Sequence, residues 1–333
     1  MSPVVVVTGA SAGVGRAVAR EFAGRGAAVG LLARGRAGLD AAAAEARELG
    51  SPAALAVPTD VADAEAVEAA AERIESELGP IDVWVNSAMV SVFAPAFEVT
   101  ADEYRRVTEV TYLGQVHGTL AALRRMRPRD HGTIVLVGSA LAYRGIPLQA
   151  AYCASKHAVE GFFDSLRADL LHDRSAVRVS HVVLPALNTP QFGWVRTRMP
   201  GHPQPVPPIY QPEVAARAIA WAADHGPREI DVGYPSVLTR LGDKVAPGLL
   251  DRYLARTGVD SQQTDEQIDR AQWRDNLDAP RDDTSDHGPY GIFSDTAKPR
   301  STQLWATTHK PQLATAAAAA VGALAALARS RRR

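Results

Sequence analysis

The chain has 333 residues, a formal net charge of −1 and 22% charged residues, a composition typical of soluble globular proteins and unlike that of disordered or nucleic-acid-binding chains. Cys153 is the only cysteine, which excludes an intramolecular disulfide, and the nine histidines show no metal-ligand spacing, so we expect no metal site. The N-terminus lacks the basic and apolar regions of a secretory signal, which predicts a cytoplasmic protein.

Apolar runs alternate with segments of helical periodicity as far as residue 232. The first unit is a strand at 4–7 that is apolar on both faces, a helix at 14–25 and a second strand at 27–33. Further helices are expected at 37–49, 62–78, 101–126, 150–172 and 212–224, and further strands at 53–57, 81–85, 133–138, 177–184 and 229–232. The alternation predicts an α/β protein with a doubly wound parallel sheet in three αβα layers.

Two stretches depart from this pattern. Residues 188–211 contain six prolines and several aromatic side chains, and a long irregular segment inside a compact domain is usually functional. After about residue 257 the chain is polar and aperiodic, which is typical of mobile segments. We therefore expect a catalytic domain at 1–255, a polar and flexible tail at 256–310, and an alanine-rich apolar helix with a basic end at 311–333.

The turn between the first strand and the first helix is rich in glycine. Its glycines allow a tight turn and let a phosphate approach the backbone, while the following helix presents free amides and the positive end of its dipole. In a doubly wound sheet this turn lies at the edge where ligands bind. A purely structural turn is the alternative. The residues expected to contact a pyrophosphate are Thr8, Gly9, Ser11, Gly13, Val14 and Gly15.

The glycine spacing in this turn is G-x3-G-x-G, and it resembles that of the classical short-chain dehydrogenase/reductase (SDR) family. The resemblance covers about residues 3 to 250 and implies a Rossmann fold that binds a nicotinamide cofactor. In that family an acidic residue at the end of the second strand selects NAD, whereas this strand ends in Arg34. A guanidinium can pair with a ribose 2′-phosphate, so Arg34, with Arg36 as a second candidate, favours NADP(H) over NAD(H). A solvated surface arginine is the alternative.

Further cofactor contacts follow from the resemblance. Asp60 and Val61 match the pair that contacts the adenine, although Asp60 could equally be the N-cap of a helix starting at Ala62. Asn86, Ser87 and Ala88 stand where the family has Asn-Ala-Gly, and Asn86 is expected to bind neighbouring backbone and brace the cofactor floor. Pro185 and Thr189 match the segment whose threonine contacts the nicotinamide carboxamide, with Ala186 in place of the usual glycine.

Tyr152 and Lys156 are four residues apart at the start of a predicted helix and therefore lie on one face. Ser139 ends the fifth strand at the same edge of the sheet as the glycine turn. A phenol can donate a proton to a carbonyl oxygen and accept it in reverse, provided that a nearby cation lowers its pKa from about 10. The resemblance implies that Ser139 binds the substrate oxygen, and that Tyr152 and Lys156 also contact the cofactor.

Thr111 stands where the family usually has a catalytic asparagine. Its single hydroxyl offers less hydrogen bonding than an amide, so a proton relay would run through its backbone carbonyl or be weakened. Cys153 and His157 lie beside Tyr152, but no orienting third group accompanies them, so nucleophilic catalysis is not expected.

The substrate is expected to be a bulky apolar ketone or secondary alcohol. Aromatic and aliphatic residues fall at the expected rim and lid of the pocket, although each could equally be ordinary packing. They are Val90, Phe93, Leu141, Tyr143, Phe192 and Trp194. The sequence thus predicts an NADP(H)-dependent oxidoreductase; the alternative is a catalytically silent NADP(H)-binding regulatory or interaction protein of the same fold.

The expected partners are the substrate and further copies of the chain, since the family resemblance implies a homodimer or homotetramer. Residues 313–328 would span about 24 Å as a helix, short of the ~30 Å hydrocarbon core of a membrane. The arginines that follow could attract anionic lipid head groups, so residues 313–333 predict peripheral membrane contact, with packing on the protein as the alternative. Nucleic acid is not an expected partner.

Overall fold

The structure is a computed structural model that describes residues 2–310, 312, 313 and 315, and a seven-stranded parallel sheet forms its centre. The strands are β1 (Val4–Thr8), β2 (Ala28–Ala33), β3 (Ala54–Pro58), β4 (Ile81–Asn86), β5 (Val92–Phe93), β6 (Thr133–Ser139), β7 (Arg178–Leu184), β8 (Arg196–Thr197), β9 (Gly201–Pro203), β10 (Glu229–Asp231) and β11 (Gln263–Gln267). The helices are α1 (Gly13–Gly24), α2 (Arg36–Glu48), α3 (Ala64–Leu78), α4 (Ala101–Thr108), α5 (Gly114–Met126), α6 (Ala150–His172), α7 (Pro212–His225), α8 (Tyr234–Val245), α9 (Pro247–Thr257) and α10 (Thr302–Thr308).

The strand order β3-β2-β1-β4-β6-β7-β10 confirms the doubly wound sheet. Chain progression reverses between β1 and β4, which leaves a crevice at the carboxyl ends of these two strands, where such folds bind ligands. The valines of β1 explain its central position, because Val5 and Val7 pack into one core and Val4 and Val6 into the other. Alternate residues of a strand point to opposite faces, so a strand with two covered faces must be apolar throughout.

The two cores lie on opposite faces of the sheet. Helices α1, α2 and α7 cover one face, and helices α3, α5 and α6 cover the other. The three-layer αβα arrangement predicted from the alternation of strands and helices is confirmed, and helix α6 has the predicted bounds of 150–172.

Several helices differ from the sequence-based expectation. The helix predicted at 101–126 is divided by a π-helix at Glu109–Leu113, a geometry that often marks functional positions. Helix α3 starts at Ala64, because the Asp63 carboxylate caps it by accepting from the amides of Glu65 and Ala66. Helices α8 and α9 were not predicted at all, although each has a proline in its first turn, which is a typical start signal.

The segment at 188–211 is less irregular than predicted. A 3-10 helix at Pro190–Gly193 is followed by β8, which pairs with β5, and by β9, which pairs antiparallel with β11. These short strands connect the segment to the domain on one side and to the C-terminal part of the chain on the other.

The chain beyond α9 lies against the domain. Leu277 is fully buried and belongs to the core on the α3, α5 and α6 face, and Leu304 of α10 is buried in the opposite core. Residues 275–288, here called the strap, include Leu277 and cross the carboxyl edge of the sheet. The flexibility predicted for 256–310 stays a prediction.

The apolar helix predicted at 311–333 lies almost entirely outside the described residues, as does the expected membrane contact of 313–333. Among the residues that the structure describes, no helix is long and apolar enough to cross a membrane.

Candidate functional site

The glycine turn after β1 has the geometry that its sequence predicts. Gly9 has a φ of 69°, and a Cβ at Gly15 would lie 2.2 Å from the Gly9 carbonyl oxygen, so neither position accepts a side chain without a backbone shift. Helix α1 starts at Gly13 without a side-chain cap. Its first residues line the crevice, where helix amides are potential donors to an anion, and the Gly13 amide donates to the Gly288 carbonyl at 3.2 Å.

A groove runs from this turn along the carboxyl ends of β1, β2, β3 and β4. It brings together most of the residues that the sequence predicts as cofactor contacts. Those lining it are Gly9, Ser11, Gly13, Val14, Gly15, Arg34, Asp60, Val61, Ser87, Ala88 and Thr189.

Thr8 and Asn86 brace the groove from behind. The Thr8 hydroxyl accepts hydrogen bonds from the amides of Ser87 at 2.9 Å and Ala88 at 3.1 Å, which ties the end of β1 to the segment after β4. Asn86 is buried, and its amide group bonds the side chains of Trp84 and Thr119, each at 3.0 Å. The expectation that Asn86 binds neighbouring backbone is therefore wrong, because its amide group is hydrogen-bonded to the side chains of Trp84 and Thr119.

Arg34 ends β2 at the floor of the groove. Its guanidinium donates to the carbonyl oxygens of Asn276 and Leu277, the latter at 3.2 Å, and no carboxylate of the described residues forms a salt bridge with it. Burial lowers the pKa of Arg34. A desolvated cation that is hydrogen-bonded only to neutral carbonyl groups attracts an anionic ligand strongly. Arg36, in contrast, is exposed and pairs with Asp40 at 3.0 Å.

Asp60 has two partners at the adjoining part of the groove. One carboxylate oxygen accepts from the Ala62 amide at 3.0 Å, and the other accepts from Arg106 at 2.5 Å. Although burial alone would raise the pKa of Asp60, these hydrogen bonds and the charge of Arg106 hold it below its usual range. Asp60 is not the helix N-cap that the sequence left open, because Asp63 fills that position.

Ser139, Tyr152 and Lys156 meet at the carboxyl end of β6. The Ser139 hydroxyl lies within hydrogen-bonding reach of the Tyr152 phenol, and the Lys156 Nζ lies 5.6 Å from the centre of the Tyr152 ring. Lys156 is only 2% exposed and donates to the Val137 carbonyl at 2.7 Å. The i, i+4 spacing on α6 therefore places the amine beside the phenol, as predicted.

Burial dominates the protonation of this pair. It raises the pKa of Tyr152, against the opposing effect of the Ser139 hydrogen bond. It also lowers the pKa of Lys156 to about 7, because the ammonium has no carboxylate partner to offset its desolvation. The amine therefore needs a further hydrogen-bond acceptor or negative charge to stay protonated above neutral pH.

Replacing Lys156 with methionine is expected to stabilise the folded protein below about pH 7 by on the order of 5 kcal/mol, since one pKa unit corresponds to about 1.4 kcal/mol. The pKa of Lys156 falls from 10.5 in the unfolded chain to about 7 in the folded one. Between these values the unfolded chain binds more protons, so the stability of the unmodified protein rises with pH. Urea unfolding at a series of pH values should show that rise, and the variant should lack it. Lys244→Met, at an exposed position, is the control, and equal pH slopes in all three proteins would contradict the expectation.

The Thr111 hydroxyl bonds the backbone of Val90 and not the side chains of Tyr152 or Lys156. It donates to the Val90 carbonyl at 2.9 Å and accepts from the Val90 amide at 3.0 Å, so it fixes the segment after β4. Its hydrogen-bonding capacity is thereby used. A relay through its backbone carbonyl, within the π-helix at Glu109–Leu113, stays a prediction.

A second cavity of about 570 Å³ opens beside Ser139 and Tyr152. Pro185 and Thr189 line it as well, and Thr189 also lines the groove, so the two spaces meet at that residue. The rest of the wall is mainly apolar. Its aliphatic and aromatic members include Leu141, Ile146, Leu187, Phe192, Val206, Leu238, Leu250, Tyr253 and Leu254.

Only part of the predicted rim surrounds this cavity. Leu141 and Phe192 line it, whereas Val90 and Trp194 line the groove. Phe93 is 1% exposed and packs edge-on against Phe192. Tyr143 donates its hydroxyl to Glu229. The sequence missed the contribution of α8 and α9, because their apolar residues could be assigned to a cavity only after the helices were placed.

Cys153 is 6% exposed, and burial raises its pKa to about 11. The thiol is therefore protonated at neutral pH and a poor nucleophile. Glu160, His181 and Glu229 form a group in which only His181 is buried. Arg240 pairs with Glu229, and the ring of His181 lies 2.8 Å from the Glu160 carboxylate, so each carboxylate already has a partner, and we assign no metal to the group.

The groove also contains residues that sequence reasoning missed. Asn276, Pro280, Arg281 and Asp282 of the strap line it. The available signal was weak: Trp273 and Leu277 are isolated bulky apolar residues in a polar stretch, and isolated apolar residues are common at protein surfaces.

Comparison with known proteins agrees with this geometry. The family model described as short chain dehydrogenase matches residues 3–199. The chain is 33% identical over 263 residues to the "Uncharacterized oxidoreductase YxnA" of Bacillus subtilis, covering 78% of this chain and 73% of that protein. It is 38% identical over 170 residues to "Dehydrogenase/reductase SDR family member 7" of Homo sapiens, covering 50% of each.

Solved structures show the same fold. A short-chain dehydrogenase from Streptomyces avermitilis aligns with a TM-score of 0.64 at 28% identity, covering 78% of this chain and 98% of that one. An alcohol dehydrogenase from the archaeon Thermococcus sibiricus, complexed with 5-hydroxy-NADP, aligns with a TM-score of 0.59 at 27% identity, covering 69% of this chain and 96% of that one.

Proposed function

The chain belongs to the short-chain dehydrogenase family, and on that basis we propose that it is an NADP(H)-dependent oxidoreductase acting on an apolar ketone or secondary alcohol. Tyr152 is the general acid and base in this proposal. The family membership supports an oxidoreductase with a nicotinamide cofactor. The preference for NADP(H) and the class of substrate rest on the residues of this chain.

The observation that carries the cofactor preference is the environment of Arg34. Its half-buried guanidinium follows the end of β2, and its hydrogen bonds go to the carbonyl groups of Asn276 and Leu277. The neighbouring helix α2 starts after Gly35 without a side-chain cap of its own. A cation and a helix N-terminus that face one groove fit a phosphate group. The alcohol dehydrogenase of Thermococcus sibiricus, solved with an NADP derivative, supports the same choice.

The other residues fit the rest of a dinucleotide. The amides at the start of α1, from Gly13 to Gly15, would hold the pyrophosphate. Asp60 and Val61 would border the adenine, and Thr189 with Ser87 and Ala88 would border the nicotinamide, since all of them line the groove. When bound, the cofactor supplies the hydride.

The protein's own chemistry is the movement of a proton at the substrate oxygen. Tyr152 would donate its proton to the oxygen during reduction and accept it during oxidation. Ser139 would hydrogen-bond the same oxygen, since its hydroxyl reaches the phenol. Lys156 would lower the pKa of Tyr152 by its charge, and the hydroxyls of a bound ribose would give the ammonium acceptors in addition to the Val137 carbonyl. Thr111 would connect Lys156 to solvent through its backbone carbonyl.

The substrate class follows from the second cavity. Its volume of about 570 Å³ lies within the about 300–1,000 Å³ of typical small-molecule sites. Its walls present aliphatic and aromatic side chains from α8, α9 and the 205–208 segment. The transfer of apolar surface from water favours a substrate of similar character.

NADPH oxidation with a series of ketones tests this function. We expect kcat/KM to rise with the size of the apolar group and NADPH to be preferred to NADH. Leu238 lines the cavity and is 60% exposed in the free protein. Leu238→Asp should raise KM for the larger ketones by about tenfold, because only a ligand large enough to cover this position would bury the unpaired charge. Leu171→Asp, at an exposed position of α6 away from the cavity, is the matched control. Binding of NADPH without turnover of any ketone would favour a catalytically silent binding protein instead.

We further propose that the chain forms a homodimer or homotetramer, as expected from the family, and that residues 313–333 contact membrane surfaces peripherally. Light scattering of the full chain tests the first proposal. Sedimentation with anionic vesicles, before and after deletion of 313–333, tests the second; sedimentation that the deletion leaves unchanged would contradict it.

A further inference from the structure

The strap accepts hydrogen bonds from the same groups that would bind a phosphate, namely Arg34 and the first amides of α2. Arg34 donates to the carbonyl oxygens of Asn276 and Leu277. The first amides of α2 are also occupied. Gly38 donates to the Asp282 carbonyl at 2.9 Å, Ala37 to the Asp283 carbonyl at 3.2 Å, and Arg36 to the Asp283 carboxylate at 3.1 Å. The Asp283 carboxylate thus caps a helix N-terminus that has no cap of its own.

The strap reaches the pyrophosphate end of the groove as well. The Gly13 amide at the start of α1 donates to the Gly288 carbonyl at 3.2 Å. Arg16 bonds the Ser11 carbonyl in the glycine turn at 3.3 Å and pairs with Asp286 of the strap at 3.3 Å. Both ends of the predicted cofactor path therefore contact the same segment.

Little space remains between the strap and α2. A Cβ at Gly35 would lie 1.8 Å from a carboxylate oxygen of Asp282, which is 7% exposed. The groove has a volume of about 160 Å³, below the about 300–1,000 Å³ typical of small-molecule sites. A ribose 2′-phosphate at the N-terminus of α2 would overlap Asp282 and Asp283 and would meet their negative charge.

The contacts that hold the strap are mostly polar and partly exposed. Arg196 pairs with Asp275 at 3.1 Å and with Asp278 at 2.8 Å, and the Trp194 ring packs edge-on against His287. Partly exposed ion pairs contribute little stability individually. Leu277 is the buried anchor. Apart from the Leu277 side chain, the strap should therefore need less free energy to detach than a segment of the core would.

We propose that the strap is an internal competitor for the 2′-phosphate of NADP(H), and that Asp283 sets the strength of this competition. The inference rests on the proposed use of NADP(H). The 2′-phosphorylated cofactor enters its end of the groove as the strap releases Arg34 and the first amides of α2. Asp283 is thereby a specificity-determining residue that the polar C-terminal part of the chain brings to the cofactor site.

The competition is selective for the 2′-phosphate because of charge. A phosphate dianion forms charge-assisted hydrogen bonds with Arg34 and with helix amides, which are stronger than the bonds that neutral carbonyl groups accept. A ribose 2′-hydroxyl carries no charge and cannot compete in this way. Only ligands with a phosphate at this position should therefore displace the strap.

Hydrogen exchange of the full chain measures the displacement directly. Adenosine 2′,5′-bisphosphate (2′,5′-ADP) and 5′-AMP differ only in the 2′-phosphate. With 2′,5′-ADP, amides of peptides within 275–283, the part of the strap that contacts Arg34 and α2, should exchange faster than in the free protein, including that of Asn276, which donates to the Trp194 carbonyl at 2.9 Å. With 5′-AMP they should stay as protected as before. Slower exchange of the strap with 2′,5′-ADP would overturn the proposal, because the strap would then close over the ligand.

An Asp283→Asn variant tests the role of the carboxylate. The amide keeps an acceptor for Arg36 but removes the charge, so 2′,5′-ADP should bind about three- to tenfold more tightly while affinity for 5′-AMP is unchanged. Asp295→Asn, at an exposed position that does not line the groove, is the matched control. Equal affinities of the wild type and Asp283→Asn for 2′,5′-ADP, or binding to neither, would overturn the proposal.

The outcomes separate this inference from the proposed function. Loosening of the strap by 2′,5′-ADP without NADPH-dependent turnover would support the internal competitor and contradict the enzymatic function. NADPH-dependent turnover with a strap that stays protected would support the function and overturn the competitor.

Discussion

Tyr152→Phe is expected to lower kcat for ketone reduction by about 10²- to 10⁴-fold, the usual contribution of a general acid or base. The substitution removes the phenol oxygen that would protonate the substrate, and it keeps the ring that packs beside Lys156. Affinity for NADPH should be retained, because the variant keeps Lys156 and every residue that lines the groove. Stopped-flow measurement of NADPH oxidation, together with a fluorescence titration of NADPH, separates the loss of chemistry from a loss of binding.

Tyr253→Phe is the matched control for this experiment. Tyr253 lines the same cavity but is 61% exposed on α9. Its loss of a hydroxyl should leave kcat nearly unchanged. Turnover that survives in Tyr152→Phe would contradict the assigned acid, and a comparable loss in Tyr253→Phe would show that the cavity responds to any removed hydroxyl.

Arg34→Leu is expected to lower the preference for NADPH over NADH by about 10- to 100-fold, the range expected for hydrogen bonds to a charged group. The side chain is the cation at the end of β2 where a 2′-phosphate would bind. The substitution also removes its bonds to Asn276 and Leu277 of the strap. Loosening of the strap would affect access for both cofactors, so the ratio of the two dissociation constants is the quantity to measure.

Two further variants narrow the interpretation of Arg34. Arg34→Lys keeps the charge but loses the planar pair of donors, so it should restore only part of the preference. Arg36→Leu removes an exposed cation that pairs with Asp40 and should change the ratio much less. An unchanged ratio in Arg34→Leu, or an equal change in Arg36→Leu, would contradict the assignment of Arg34 as the phosphate ligand.

The groove and the cavity are linked through the segment after β7. Thr189 lines both spaces, and Asn188 beside it is fully buried and bonds the Phe293 amide at 3.0 Å. The C-terminal part of the chain therefore contacts the segment that lies between the groove and the cavity.

The sequence by itself determined the sheet, the glycine turn and the relation between Tyr152 and Lys156. Each of these follows from local rules: the strands from apolar runs, the helices from a period of 3.6 residues, and the two side chains from a spacing of four on one helix. The meeting of Ser139 with the glycine turn follows equally, because the carboxyl ends of parallel strands share one edge.

Only the tertiary structure decided what surrounds these residues. The partners of Arg34 are 242 and 243 positions away in the chain, and the Asp60 carboxylate pairs with Arg106 of helix α4. Helices α8 and α9 became a cavity wall only when placed beside Tyr152. The strap is attached mainly through backbone carbonyl groups and scattered ion pairs. Because backbone carbonyls belong to every residue type, no periodicity or motif in a polar sequence marks which segment will cap a distant helix and close a distant groove.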